Sequence, residues 1–298
     1  MQEPKFNPYL ALAIGVASVS ASAILVKASS GSSGVIAFYR LLFTVLLMLP
    51  FFLVKNVSEL KMLSKKDFFL SIIAGVFLAF HFILWFESLN YTSVASSTVL
   101  VTLQPLFAFV GAFLFFKERF SVTAIISGII AIAGSLIISW GDFQISGLAL
   151  WGDILALTAC ALITAYLLFG QAVRKRISST TYTFVVYGIS TITLFLYVLV
   201  SGESFGPYPA IDWIYFILLA VFPNLLGHSL FNWSLKWLST TTISMAILME
   251  PVGASILAYF ILDEKIIWTQ ALGGIVIIAG LMLFLRDKKK AEAAESSL

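Results

Sequence analysis

The chain is short of charge. Asp, Glu, Lys and Arg make up 11% of its 298 residues, against about 25% in an ordinary soluble domain. That leaves too little polar surface to cover a water-exposed globule, which excludes a soluble enzyme and a free nucleic-acid binder. It has one cysteine, Cys160, and two histidines, His81 and His228. An intramolecular disulfide and a cysteine-cluster metal site are therefore excluded, and no HExxH spacing suggests zinc. No metal or cofactor is expected. There is no Walker P-loop, so ATP is not expected to act directly. What is abundant is hydrophobicity, at 60% of residues with a mean hydropathy of +1.01, which also excludes disorder for most of the chain. The basic pI, about 8.9, fits lysines and arginines gathered on one face of a membrane better than a nucleic-acid surface.

A bilayer-spanning helix needs about 20 mostly apolar residues. Ten such runs are present, at 8–27, 35–54, 68–90, 92–116, 121–140, 150–173, 179–201, 211–234, 239–262 and 266–286. The SASA stretch at 20–23 resembles a signal-peptide cleavage site. However, the run around it is longer than a signal peptide's core and its leading segment is nearly neutral, so it reads as the first span. With ten spans and the N-terminus inside, 15 of the 18 lysines and arginines fall inside, Lys27 and Lys265 fall outside, and Arg40 lies within a span. This split predicts that both termini are cytoplasmic. Trp140, Trp151, Trp213 and Trp268 fall at the outer helix ends, as an interfacial belt would. The polar tail 287–298 is expected to fray.

The chain also repeats itself at an offset of 146. Residues 84–134 align with 230–280 without a gap: SLNYTS at 88–93 with SLKWLS at 234–239, Pro105 with Pro251, Ala108 and Ala112 with Ala254 and Ala258, Glu118 with Glu264, Thr123 with Thr269, and GIIAIAG at 128–134 with GIVIIAG at 274–280. Each half, 8–140 and 150–286, holds five runs. Five is odd, so the second half enters the membrane from the opposite side, an inverted-topology repeat of the kind secondary transporters use.

These doubled motifs, together with AFYRLLF at 37–43, resemble the EamA-type transporters of the drug/metabolite transporter superfamily. The resemblance covers essentially the whole chain. It implies an all-α integral membrane fold, with ten transmembrane helices in two inverted five-helix repeats around a central cavity. It also implies carriage of amino acids or other small metabolites, usually outward. The second half departs from the pattern where Val186 stands opposite Arg40, so that arginine is not a symmetric element.

Ionisable groups at mid-membrane are costly and persist where they face a cavity or a partner. Glu250, before Pro251, and its counterpart Gln104, before Pro105, are predicted to meet near the pseudo-two-fold as substrate contacts. A buried carboxyl favours its neutral form, which makes Glu250 a candidate proton carrier as well as a candidate helix bridge. Asn224, His228 and Asn232 form an i, i+4, i+8 stripe that reads as a water-filled wall, with Pro223 as a further helix break. His81 and Trp85 form a similar pair, either facing the cavity or packing against lipid. Pro105, Pro223 and Pro251 are candidate hinges, because each removes a backbone donor. Arg40 and Glu87 sit at similar depth and are expected to form a structural ion pair, with an anionic-substrate handle as the alternative for Arg40. Glu118 and Glu264 are expected to cap the fifth and tenth helices. Gly15, Ser18 and Ser22, together with Gly128, Ala131, Ser135, Gly274 and Gly280, should let helices approach closely. The fifth and tenth helices are also candidates for a dimer contact.

The expected protein is a multi-pass carrier in a bacterial cell membrane, a monomer or homodimer. Its partners are a small-molecule substrate and the bilayer, without nucleic acid. It moves a small organic metabolite by alternating access, outward in the leading reading and inward in the alternative. A membrane enzyme would need convergent catalytic groups, and Asp142, Asp153 and Asp212 bring no histidine. A non-transporting scaffold would not need mid-membrane prolines paired across a repeat.

Overall fold

A computed structural model describes residues 4, 6–138, 140, 147–262 and 266–296, with side chains described except at 258, 262 and 291–296. Asp142, Asp263, Glu264 and Lys265 lie outside the described residues, as do Lys5 and 297–298, so the expected cap by Glu264 falls there too.

Every hydrophobic run is helical. The first comprises α1 (Pro8–Val19) and α2 (Ser22–Ala28). Next come α3 (Ser33–Lys55), a 3-10 turn at Val57–Met62, and α4 (Lys65–Ser88). The fourth run is split into α5 (Val94–Thr102) and α6 (Gln104–Phe116), followed by α7 (Val122–Ile138). The second half has α8 (Gly147–Arg174) and α9 (Ser179–Ser201). Then α10 (Ala210–Leu219) passes through a π-helical stretch, Ala220–His228, into α11 (Ser229–Ser234). The ninth run is split into α12 (Thr240–Ile247) and α13 (Glu250–Leu262), and the last is α14 (Trp268–Ser296). Among the described residues, nine of these stretches are long and apolar enough to cross a membrane, and Val122–Ile138 is a shorter apolar helix. The tail does not fray as expected: the backbone of α14 stays helical to Ser296.

Local chemistry explains the ends. The last serine of each copy of the doubled motif is a helix N-cap: Ser93 Oγ accepts from the Ser96 N–H, and Ser239 Oγ from the Thr242 N–H. Such caps satisfy backbone donors that the helix itself leaves open. Glu118 is not the cap of the fifth run. Ser121 Oγ accepts from the Ala124 N–H there, while Glu118 Oε1 accepts from Gln171 Nε2 of α8 at 2.9 Å.

The packing is paired. α4 lies along α8, and the α10–α11 span lies along α1; α3 packs on α9, and α7 on α14. The last pair crosses at glycines. A Cβ on Gly134 would stand 2.7 Å from the Ile277 nitrogen, and one on Gly280 would stand 2.8 Å from the Ala131 nitrogen. In lipid, where apolar side chains gain nothing by leaving water, such close backbone approach supplies much of the helix association. Gly134, Gly273 and Gly280 thus bring α7 and α14 together within the chain. Outward-facing Val54, Val200 and Ile275 are broadly exposed, as lipid-contacting side chains are. Trp140, Trp151 and Trp268 are exposed as a belt requires. Trp213 instead packs into an aromatic cluster, 4.9 Å from Tyr39 and 5.8 Å from Phe216 between ring centroids.

Candidate functional site

Helix breaks converge on the middle of the bundle. Proline cannot donate to the preceding turn, and α5 gives way to α6 just before Pro105, as α12 gives way to α13 just before Pro251. Pro223 sits within the π-helical stretch rather than at a full break. The α1–α2 junction meets the α12–α13 junction. There Ser20 Oγ donates to the Val16 carbonyl at 2.9 Å and reaches the Glu250 carbonyl at 3.3 Å. Carbonyls released at mid-membrane need such partners because no bulk water reaches them. A Cβ on Gly253 would stand 2.2 Å from Ser20 Oγ, so this junction requires glycine.

Between these breaks lies a narrow chamber of about 20 Å³, room for roughly one water molecule. Its polar lining is Ser22, Arg40, His81, Trp85, Gln104, His228 and Glu250, closed by apolar side chains that include Val101, Ile163 and Phe231. All of these are buried. Of the sequence-predicted contacts, His81, Trp85, Gln104, His228 and Glu250 line one chamber, and Asn224 adjoins it through Arg40. Asn232 is not part of it. Eight residues further along a helix is about 12 Å along the axis, and there Asn232 Nδ2 donates to Thr183 while its carbonyl accepts from Arg174 Nε.

The expected Arg40–Glu87 ion pair is not formed. Arg40 is fully buried. Its Nε donates to Asn224 Oδ1 at 2.7 Å and its Nη1 to Ser22 Oγ at 2.8 Å. Its Cζ lies 4.1 Å from the Phe82 ring centroid and 5.7 Å from that of Phe86, in cation–π contact. Asn224 is held in turn by Thr44, whose Oγ1 accepts from Asn224 Nδ2 at 3.1 Å and donates to the Arg40 carbonyl at 2.7 Å. Glu87 instead accepts from Ser33 Oγ at 2.8 Å and Asn90 Nδ2 at 3.3 Å. Arg40 shares the chamber lining with Glu250. Similar depth in the membrane did not imply contact, because the two side chains leave their helices in different directions.

Four buried polar atoms of this chamber have no protein partner: Arg40 Nη2, Trp85 Nε1, Gln104 Oε1 and His228 Nδ1. An unpaired buried polar group costs roughly 1–3 kcal/mol, so four around one small space form an unusual concentration. Chemically they are mixed. The guanidinium and indole N–H groups only donate, the Gln104 oxygen only accepts, and His228 does either according to tautomer. His81 is already engaged, with Nδ1 2.9 Å from the Ala159 carbonyl and its ring stacked near Trp85. Sequence reading placed Ser22 among packing residues and overlooked Thr44 and Phe82. A serine or phenylalanine in an apolar run carries no signal until the arginine it serves is located in space.

A family model described as the EamA-like transporter family matches residues 7–140 and 150–286. Among curated proteins, the chain is similar to the uncharacterized transporter YxxF of Bacillus subtilis (strain 168), 27% identical over 78% of this chain and 76% of that one. It is also similar to the uncharacterized transporter YetK of the same organism, 25% identical over 97% and 90%. An uncharacterized transporter of Archaeoglobus fulgidus is 26% identical over 83% and 86%. One solved crystal structure superposes with a TM-score of 0.77 at 16% identity, covering 95% of this chain and 98% of the other. At that identity the likeness shows the fold alone.

Proposed function

Because this chain belongs to the EamA-like transporter family, we propose that it is a secondary transporter exporting a small organic metabolite, an amino acid or a related compound, by alternating access. The observation that carries this reading is the chamber, where unpartnered donors (Arg40 Nη2, Trp85 Nε1) and an unpartnered acceptor (Gln104 Oε1) face one space beside the Glu250 carboxyl. Donors with a guanidinium suit a carboxylate, and acceptors with a carboxyl suit an ammonium, so the pairing fits a zwitterion. A narrow chamber that widens toward one face at a time would bind such a solute and then release it.

The proposed architecture is ten spans in two inverted five-helix repeats, with both termini in the cytoplasm of a bacterial cell. Support comes from the packing. α4 on α8 and the α10–α11 span on α1 are related by exchanging the halves, as are the two proline-adjacent breaks. Pro105, Pro223 and Pro251 act as the hinges. The protein is read as a carrier rather than an enzyme.

The test is flux in proteoliposomes without ATP. Saturable, competable movement of at least one labelled amino acid or related metabolite is expected, and the sidedness of loading reports direction. Absence of flux across a broad panel would overturn the reading.

A further inference from the structure

Two polar clusters far from the chamber stand at opposite ends of the antiparallel pair α3 and α9. At one end, Ser178 donates from both its N–H, at 2.7 Å, and its Oγ to the Glu59 carboxylate, which also accepts from Thr181 Oγ1 and from Asn56 Nδ2. Beside it, the Arg176 guanidinium forks onto the Asp67 carboxylate through Nε and Nη2. At the other end, Ser32 Oγ donates to Glu203 Oε2 at 2.5 Å. Ser30 donates to Asp212 from its N–H at 3.1 Å and from its Oγ at 2.5 Å.

The two clusters are copies of one another. Ser32 and Ser178 are 146 residues apart, the offset of the sequence repeat, and so are Ser30 and Arg176. Each serine of the first pair is the N-cap residue of its helix, α3 or α9. The carboxylates correspond within two residues of the same offset: Glu59 with Glu203 in the loops after α3 and α9, and Asp67 with Asp212 at the starts of α4 and α10. In each cluster the strap before α3 or α9 is tied to the entrance of the helix that leads into the chamber wall.

The copies differ in their donors: Glu59 accepts from Ser178, Thr181 and Asn56 where Glu203 accepts from Ser32, and the two aspartates differ in the charge of their partner. Where the first has Arg176, the second has Ser30. Both aspartates are buried; Asp67 forms an ion pair with Arg176, whereas among the described residues the hydrogen bonds to the Asp212 carboxylate come from the neutral Ser30. A guanidinium on a carboxylate is a stronger, geometrically matched bond than a hydroxyl.

We infer that these clusters are the paired latches of the transport cycle, one for each membrane face, and that the ion-paired latch holds its face shut more firmly, so that the resting protein opens more readily at the Asp212 face. The inference rests on the alternating-access reading above. Opening one face requires its strap to leave its carboxylates while the other remains tied. With unequal latches, the equilibrium between the two open forms is biased without any substrate bound.

The experiment uses the full chain with Cys160→Ala, since Cys160 is the one native cysteine. A single reporter cysteine replaces Val101 in the chamber wall, and a membrane-impermeant maleimide is applied to either face of oriented vesicles. Arg176→Ala is expected to raise labelling from the Asp67 face and lower it from the Asp212 face, each by about two- to fivefold, the scale of one partly exposed ion pair. Asp212→Asn is expected to do the reverse, and Arg176→Lys, which keeps the charge but not the fork, to fall between the parent and Arg176→Ala. If Arg176→Ala does not yield folded protein, Ser178→Ala breaks the same latch and carries the same expectation. Labelling that rises from both faces together, or does not change in either variant, overturns the latches. A parent reporter labelled from neither face overturns the alternating-access reading itself, which separates the two failures.

Discussion

Arg40 on α3 is oriented by Asn224, whose Oδ1 accepts from Nε at 2.7 Å across the boundary between the two halves of the chain. Asn224 lies in the π-helical stretch. Such stretches often mark functional positions because the wider turn shifts side chains out of ordinary register. Removing the amide leaves a buried donor unpaired. Asn224→Ala should therefore destabilise the protein by about 1–3 kcal/mol, and Glu87→Gln should not. Thermal unfolding in detergent of the two variants and the parent checks this, and equal losses would mean that Glu87 matters to Arg40 after all.

Glu250→Gln keeps the size and hydrogen-bonding capacity of the side chain while removing its titration. If Glu250 carries a proton, the variant should fold and either lose the pH dependence of flux or stop transporting. Gln104→Ala should weaken substrate affinity and leave the pH profile alone. Flux assays between about pH 5 and pH 8 separate these outcomes. Parent-like rates for Glu250→Gln over that range would remove the proton from the mechanism.

Glu59 lies in the loop after α3, outside the spans. Burial pushes its carboxyl up, but hydrogen bonds from the Ser178 hydroxyl, Thr181, the Ser178 N–H and Asn56 outweigh it and hold the carboxyl below the usual carboxylate range. A carboxyl lowered on folding stabilises the native state above its unfolded value, about 4.3, and that contribution is lost as pH falls through the folded value. The melting temperature of the parent should therefore fall more than that of Glu59→Gln on acidification below about pH 5. Parallel melting curves for the two proteins would contradict the bonding seen at Ser178.

Gly134→Val places its side chain against the backbone of α14, where the nearest atoms are the Ile277 nitrogen and the Gly273 oxygen at 2.7 and 2.8 Å. Backbone cannot rotate away as a side chain can, so the helices must part. A loss of roughly 1–3 kcal/mol or more is expected, seen as a lowered unfolding temperature. Gly147→Ala is the control, because a Cβ there meets nothing within 4 Å.

Much of this protein was legible from its sequence. Each hydrophobic run became helical because the bilayer demands that every backbone group be satisfied within the segment, and length plus apolarity suffices to read that. Pro105 and Pro251 announced the breaks beside Gln104 and Glu250, because a missing N–H is a local fact. The partner of Arg40 was not legible. A charge within a span states that compensation exists, but its source depends on helix rotation and crossing. These are set by contacts such as Gly15 against Phe231 and Gly134 against Ile277, which involve residues far apart in the chain. For the same reason Asn232 left the polar stripe it shared with Asn224 on paper, and the serines at 30, 32 and 178 stood unremarked until the fold set them beside their carboxylates. The sequence alone determined which segments are helical and placed the breaks beside Pro105 and Pro251, but not the one between α1 and α2. Only the tertiary structure decided which polar groups meet, because direction around a helix axis is set by its neighbours.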